Sequence, residues 1–153
     1  GYWKNEKSTK KTIINGWLHT GDLGLIDEDN FLKIIGRKNE MIVNTGGENI
    51  SPVPLEEKIS SYVEIEQVMV YGHQRPYLVA LIYPSKDYLS YNKTCFYKIF
   101  SEINSSLSVE KKIRKFQIIK EPFSVENLLL TPTLKMKRKL IEKKYIDKIN
   151  SLY

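Results

Sequence analysis

The sequence holds one cysteine, Cys95, which excludes an internal disulfide and any cysteine-built zinc cluster. Its two histidines, His19 and His73, lie far apart in the chain, so no histidine-rich metal site is expected. No apolar run approaches the roughly 20 residues of a membrane-spanning helix, and no signal-peptide pattern opens the chain. Arginine is scarce. It supplies 4 of the 24 basic residues, so positive charge comes mostly as solvated lysine ammonium groups and little as bidentate forks. What is present is enough for a core: 153 residues, 41% hydrophobic and 11% aromatic, a composition that argues against wholesale disorder.

The net charge of +6 is unevenly placed. Residues 1–109 carry 12 basic and 13 acidic side chains, whereas residues 110–153 carry 12 and 5. The basic end suits an anionic partner such as phosphate, nucleic acid or a lipid surface, or it is the solvated face of a lysine-rich helix.

Residues 5–14 suggest a helical turn running into a loop. Gly21–Ile26 and Phe31–Ile35 flank the turn cluster Asp27-Glu28-Asp29-Asn30, the pattern of a hairpin. Gly36–Glu40 reads as a linker, Met41–Val43 as a short strand, and Thr45–Asn49 as the break after it. Ser51 as cap, Pro52 at the first position and acids in the first turn predict a helix start. Ile65–Tyr71 and Tyr77–Tyr83 are apolar runs forming a second strand pair. Residues 86–104 read as a helix with Leu89, Cys95, Phe96, Ile99, Phe100 and Ile103 on one side. Ser108–Lys112 reads as a short helix and Phe116–Ile119 as a last strand. Leu140, Ile141, Tyr145, Ile149 and Leu152 mark an amphipathic helix from Met136 to Leu152. Interleaved strands and helices with hairpins predict an α+β fold. The opening, Gly1-Tyr2-Trp3-Lys4, enters directly into patterned sequence, and the chain is read as a fragment of something longer.

Five segments in order carry a resemblance. Gly16-Trp17-Leu18-His19-Thr20-Gly21-Asp22-Leu23-Gly24 resembles the GW-x-HTGD segment of AMP-forming acyl-CoA synthetases, and Gly1–Thr9 resembles the segment before it. Gly36–Ile42 resembles the family's hinge segment, and Gly46-Gly47-Glu48-Asn49-Ile50 matches the GGENI of long-chain members. Phe123–Asn127 and Leu130-Thr131-Pro132-Thr133-Leu134-Lys135-Met136-Lys137-Arg138 resemble the segment near their carboxyl end.

The resemblance implies an AMP-forming long-chain fatty-acid–CoA ligase. Such an enzyme activates a fatty acid with ATP to an acyl-adenylate and transfers the acyl group to CoA, with Mg²⁺ arriving on ATP. Residues 1–36 would be the trailing edge of a large upstream domain. Residues 37–153 would be a small mobile C-terminal domain of short hairpins and a small sheet flanked by helices. With the triphosphate loop and acyl pocket upstream, the fragment alone is expected to be inactive. The expected location is cytoplasmic or peripheral on a membrane. A relative passing the acyl group to another acceptor is the nearer alternative. A nucleic-acid-binding module is the distant one, opposed by core-like placement of the aromatics and the absence of a legible binding motif.

The resemblance also assigns residues. Asp22 would accept the ribose hydroxyls of ATP, although a Gly-Asp pair also stabilises an ordinary turn. Arg37 would contact the nucleotide, and as a linker arginine it would simply be solvated. Asn39 stands at the hinge position, where relatives carry Asp or Lys; Asn tolerates unusual backbone angles. Gly46, Gly47 and Glu48 would lie beside the pantetheine arm of CoA, since glycines admit a close ligand; their spacing is not that of a phosphate-binding Walker loop. Lys135 would be the catalytic cation, with Lys137, Arg138 and Lys139 as neighbours and Leu134 where distant relatives have Gly. No metal ligands are expected in these residues. His19 and Cys95 are assigned no chemistry.

Overall fold

The computed structural model describes residues 1–88 and 93–153, and the chain separates into two units, Gly1–Glu40 and Met41–Tyr153. In the first, α1 (Glu6–Thr12) begins where the Asn5 side chain accepts the Ser8 N–H at 3.0 Å. It leads into a hairpin of β1 (Ile13–Ile14) and β2 (Trp17–Leu18) around Asn15 and Gly16, which have φ of 52° and 81°. Asn-Gly is the dipeptide that accepts left-handed backbone at a tight hairpin turn, and it makes strands where the sequence reading expected a loop.

The expected hairpin at 21–35 is present as β3 (Asp22–Ile26) and β4 (Leu32–Arg37). Its turn is built by Asp27, whose Oδ1 accepts the N–H groups of Asp29 and Phe31 at 3.1 and 2.9 Å. The Phe31 N–H, with Lys33 beside it, holds the Asp27 carboxyl below its ordinary value. The 3₁₀ turn Lys38–Glu40 follows β4. The two units therefore divide after Glu40, four residues past the boundary read from the sequence. None of residues 1–40 is buried.

The second unit starts with β5 (Ile42–Val43) and β6 (Asn49–Ile50), paired antiparallel across a glycine turn. Then comes α2 (Pro52–Ser60). Ser51 occupies the cap position but makes no capping hydrogen bond, so Pro52, with φ already preset, begins the helix. The acids predicted for the first turn lie beyond it, and Glu56 is buried.

β7 (Ile65–Tyr71) and β8 (Leu78–Pro84) pair antiparallel as expected. The helix predicted over 86–104 is a 3₁₀ turn at Lys86–Tyr88 and α3 (Thr94–Ser105); Leu89 falls outside the described residues. A 3₁₀ turn at Val109–Lys111 replaces the short helix, and β9 (Ile113–Ile118) begins earlier than predicted and pairs parallel to β8. A parallel pairing needs a long crossover, and α3 lies within it. Finally α4 (Arg138–Asn150) starts two residues after Met136, which instead bridges to Leu130. Leu140 is 46% exposed, so the apolar face is Ile141, Tyr145 and Ile149 without it.

The sheet order β7-β8-β9 puts β8 in the middle, and all seven of its residues are buried. Leu78, Ala80 and Ile82 pack with Ile59 of α2 and Phe96 and Phe100 of α3. Val79 and Leu81 pack with Phe123, Leu129 and with Ile141 and Ile149 of α4. The second unit is thus a small mixed sheet between helices, the α+β class that the element pattern predicts. No helix among the described residues is long and apolar enough to cross a membrane.

Ile82 is fully buried at the centre of this packing. Ile82→Ala is expected to destabilise the fold by about 2–5 kcal/mol, read as a lower urea midpoint with an unchanged slope.

Candidate functional site

Three groups of side chains gather the residues singled out in the sequence. The first is in the Gly1–Glu40 unit, where Asp22 and Arg37 sit opposite each other across β3 and β4. A bulge at Leu23/Gly24 makes the pairing: counted from the turn without it, Gly36 would face Asp22. Arg37 Nε lies 3.1 Å from Asp22 Oδ1. The Asp22 N–H donates to Thr20 Oγ1 at 3.1 Å, and the Lys38 N–H to the Gly21 carbonyl at 2.8 Å, so both ends of the pair are held by backbone. The Arg37 side chain is 56% exposed, so the ion pair adds little stability. Beyond Arg37, no described residue bonds the Asp22 carboxylate, which leaves it acceptor capacity for a ligand.

Asn39 is exposed in the 3₁₀ turn that follows, one residue short of the last residue of its unit. Its φ is not positive, so the tolerance of left-handed backbone invoked for it is not used.

The second group surrounds the glycine turn. Asn44 closes it: its Oδ1 accepts the Glu48 N–H at 2.9 Å and its carbonyl the Gly47 N–H at 3.0 Å. Gly47 has φ +81°, a value costly for any residue with a Cβ. The Thr45 N–H donates to the Arg75 carbonyl and the Gln74 N–H to the Val43 carbonyl, tying the turn to the β7–β8 loop. Beside it opens a groove of about 610 Å³ lined by Asn44, Thr45, Gly46, Pro76, Tyr77, Val109, Glu110, Arg114 and Lys115. Of the three turn residues nominated from the sequence, Gly46 lines the groove; Gly47 shapes the turn and Glu48 closes it. Lys115 Nζ lies 5.9 Å from the centre of the Tyr77 ring, whose hydroxyl donates to the Leu152 carbonyl. Arg114, Lys115 and Tyr77 are contributions the sequence reading did not single out; the charge imbalance after residue 110 was the available signal.

The third group is the loop carrying Lys135. The Leu130–Met136 bridge closes its base. Thr131 fixes its tip: its N–H donates to the Lys135 carbonyl at 2.8 Å, its Oγ1 accepts the Lys135 N–H at 3.0 Å, and its carbonyl accepts the Leu134 N–H at 2.8 Å. The hydroxyls of Thr131 and Thr133 are 3.0 Å apart. Leu134 is forced to φ 59° with its side chain 71% exposed, which explains why glycine suits that position. Lys135 is exposed and has no ion-pair partner among the described residues.

Its neighbours differ. Arg138 makes a bidentate pair with the Glu56 carboxylate: Nη1 donates to Oε1 at 2.8 Å and Nη2 donates to Oε2. Glu56 Oε1 also accepts the Val70 N–H at 2.7 Å. This pair was missed from sequence. The signal was the burial period of α2, because Pro52, Leu55, Glu56 and Ile59 share its buried face and a carboxylate there requires a cation. Among the described residues no three His, Cys, Asp or Glu side chains gather to hold a metal ion.

Residues 39–153 match the AMP-binding enzyme C-terminal domain, and the chain belongs to that family. It is 34% identical over 174 residues to the long-chain-fatty-acid–CoA ligase FadD15 of Mycobacterium tuberculosis, covering all of this chain and 29% of that protein. It is 34% identical over 176 residues to long chain acyl-CoA synthetase 3 of Arabidopsis thaliana, covering all of this chain and 26% of that one. The chain thus spans less than a third of these relatives. Among solved structures, it superposes over its whole length on 26% of the adenylation domain of a Mycobacterium chelonae carboxylate reductase, with a TM-score of 0.89 and 24% identity. The equivalent didomain from Segniliparus rugosus, also at 0.89 and 24%, was solved with AMP; the match covers all of this chain and 23% of that one.

The geometry of Leu134 generates a stability test. The left-handed conformation costs an L-residue about 1–2 kcal/mol, more than the roughly 0.5–1 kcal/mol of chain entropy that glycine forfeits. Leu134→Gly is therefore expected to raise the melting temperature slightly, and a fall would show that Leu134 contributes packing its exposure does not suggest.

Proposed function

We propose that the chain is the carboxyl-terminal part of a long-chain fatty-acid–CoA ligase. The ligase joins a fatty acid to AMP from ATP, releasing pyrophosphate, and then passes the acyl group to CoA, releasing AMP. The observation that carries this reading is the exposed Lys135, without an ion-pair partner among the described residues, at the tip of a hydrogen-bonded loop. Attack of a carboxylate on the α-phosphate builds negative charge on a crowded phosphorus centre. A fixed ammonium group aimed there stabilises the transition state more than the ground state. Arg138 cannot serve equally, because its guanidinium is committed to Glu56.

In this reading Asp22 accepts the two ribose hydroxyls of ATP, and Arg37, the ion-pair partner that holds it in place, contacts the nucleotide. Residues 1–36 are the edge of the large upstream domain. In support, their unit buries no residue and leaves Trp17 77% and Phe31 70% exposed, apolar surface of the kind another domain covers. The residues after the 3₁₀ turn Lys38–Glu40 are the mobile domain, hinged at Asn39 within that turn, because adenylation and thiolation need different groups at one acyl carbon. Mg²⁺ enters with ATP, and the enzyme works in the cytoplasm or against a membrane surface. The fragment by itself, lacking the upstream pocket, is inactive.

CoA fits the glycine-turn groove by charge and shape. The narrow pantetheine arm passes Gly46, which has no side chain of its own and lies beside the Asn44 amide, and the phosphorylated end meets Arg114 and Lys115. Glu110 opposes the two cations, so the groove is only mildly positive. This groove is what favours CoA over another acyl acceptor.

Lys135→Ala in the full-length ligase is expected to slow pyrophosphate release on the order of a hundredfold or more. Thiolation of supplied acyl-adenylate should be spared, and Lys139→Ala should do far less. Near-normal adenylation by Lys135→Ala would overturn the assignment. The groove has its own test: Arg114→Ala with Lys115→Ala should raise the KM for CoA on the order of tenfold, the value of about one charge-assisted hydrogen bond. Adenylation measured without CoA should be unchanged.

A further inference from the structure

We propose that Glu56 is a positioning residue for adenylation, acting on Lys135 through Arg138. The inference rests on Lys135 acting at the reacting phosphate.

One carboxylate joins three elements. Glu56 comes from the buried face of α2, accepts the Val70 N–H of β7, and receives both guanidinium arms of Arg138, the first residue of α4. β7 is an edge strand, so the Val70 N–H is a sheet-edge donor that this side chain satisfies. Arg138 lies three residues beyond Lys135. Between them, the bridge at Met136 and the Lys137 N–H donated to the Leu129 carbonyl leave little slack. The loop tip is organised by Thr131, but those bonds are internal to the loop and do not orient it on the sheet. Leu129 and Leu130 at its base are buried with Val79 and Leu81, and the Arg138–Glu56 fork adds the directional fastening. It fixes both distance and plane, which a lysine at the same place would not.

The energetics point the same way. Burying an ion pair gains little stability over apolar side chains of the same volume, because desolvation cancels the attraction. Geometry is what the pair supplies. A misplacement of about 1 Å at a catalytic group can cost on the order of a hundredfold in rate. Committing Arg138 to Glu56 also takes that guanidinium out of competition with Lys135 for an incoming anion.

The test compares Glu56→Gln, Arg138→Lys, Lys135→Ala and the Glu56→Gln/Lys135→Ala double variant in the full-length ligase. Each is assayed for pyrophosphate release and, separately, for thiolation of supplied acyl-adenylate. Glu56→Gln is expected to lower the kcat of adenylation on the order of tenfold, with the KM for ATP and the thiolation rate within about twofold of wild type. In the Lys135→Ala background the same change should cost less than about twofold more, since its effect is spent through Lys135. Arg138→Lys keeps the buried charge without the fork and should mimic Glu56→Gln; it also stands in should Glu56→Gln fail to fold. Full adenylation by both variants, losses that multiply in the double variant, or a parallel fall in thiolation would each overturn the positioning role. If Lys135→Ala itself adenylates normally, the assignment of Lys135 has failed; if it is impaired while Glu56→Gln and Arg138→Lys are not, only the positioning role has.

Discussion

Burial of β8 on both faces is the constraint from which the second unit follows. A strand whose seven residues are all removed from water needs an apolar layer above and below. Leu78, Ala80 and Ile82 recruit α2 and α3, and Val79 and Leu81 recruit α4 with the 119–130 segment. Placing α4 against β8 brings its first residue within reach of Glu56 on α2 at the β7 edge. The loop before α4 is delivered to the same edge. The exposed lysine is therefore a consequence of core packing several residues away, with no stabilising role of its own.

The polar contacts divide by purpose. Those inside the Thr131–Lys135 loop and the Asn44–Glu48 turn hold backbone in shapes that ordinary helices and strands do not provide, including left-handed residues at Leu134 and Gly47. The Glu56–Arg138 pair instead relates elements far apart in sequence. The Asp22–Arg37 pair, whose arginine is more than half exposed, does neither to much energetic effect. An ion pair that contributes little stability yet presents a carboxylate outward is available to a ligand, which is how the proposed ribose contact uses it.

Much of this was legible before any coordinates, for reasons that differ by element. Apolar runs of strand length separated by turn residues are unambiguous, so β3–β4 and β7–β8 were readable. The parallel partner of β8 was not, because β9 is recruited across a helix and its own alternation is imperfect. β1 and β2 were missed although Asn15-Gly16 announces a hairpin; two-residue strands carry no periodicity. The sites show the same divide. Lys135 is nominated through the register of a motif, while Glu56 reads as a helix-start charge because its partner Arg138 lies 82 positions away. The hairpin was read, but the Asp22–Arg37 pairing depends on a bulge that the alternation of residues does not reveal.

The candidate residues fall in both units. Asp22 and Arg37 belong to the unit ending at Glu40, whereas Lys135 and the glycine-turn groove belong to the unit beginning at Met41. Within the second unit, the groove and the lysine are built on different foundations. The groove lies among the glycine turn, the loop leading into β8 and the start of β9, and Lys135 lies on the loop before α4. Lys135 and the groove are thus carried by one body on different elements. In the proposed reaction that body can offer one surface or the other to a nucleotide held elsewhere, without rebuilding either. The two-sided burial of β8 keeps both surfaces on one body, which is what the proposed hinge at Asn39 requires.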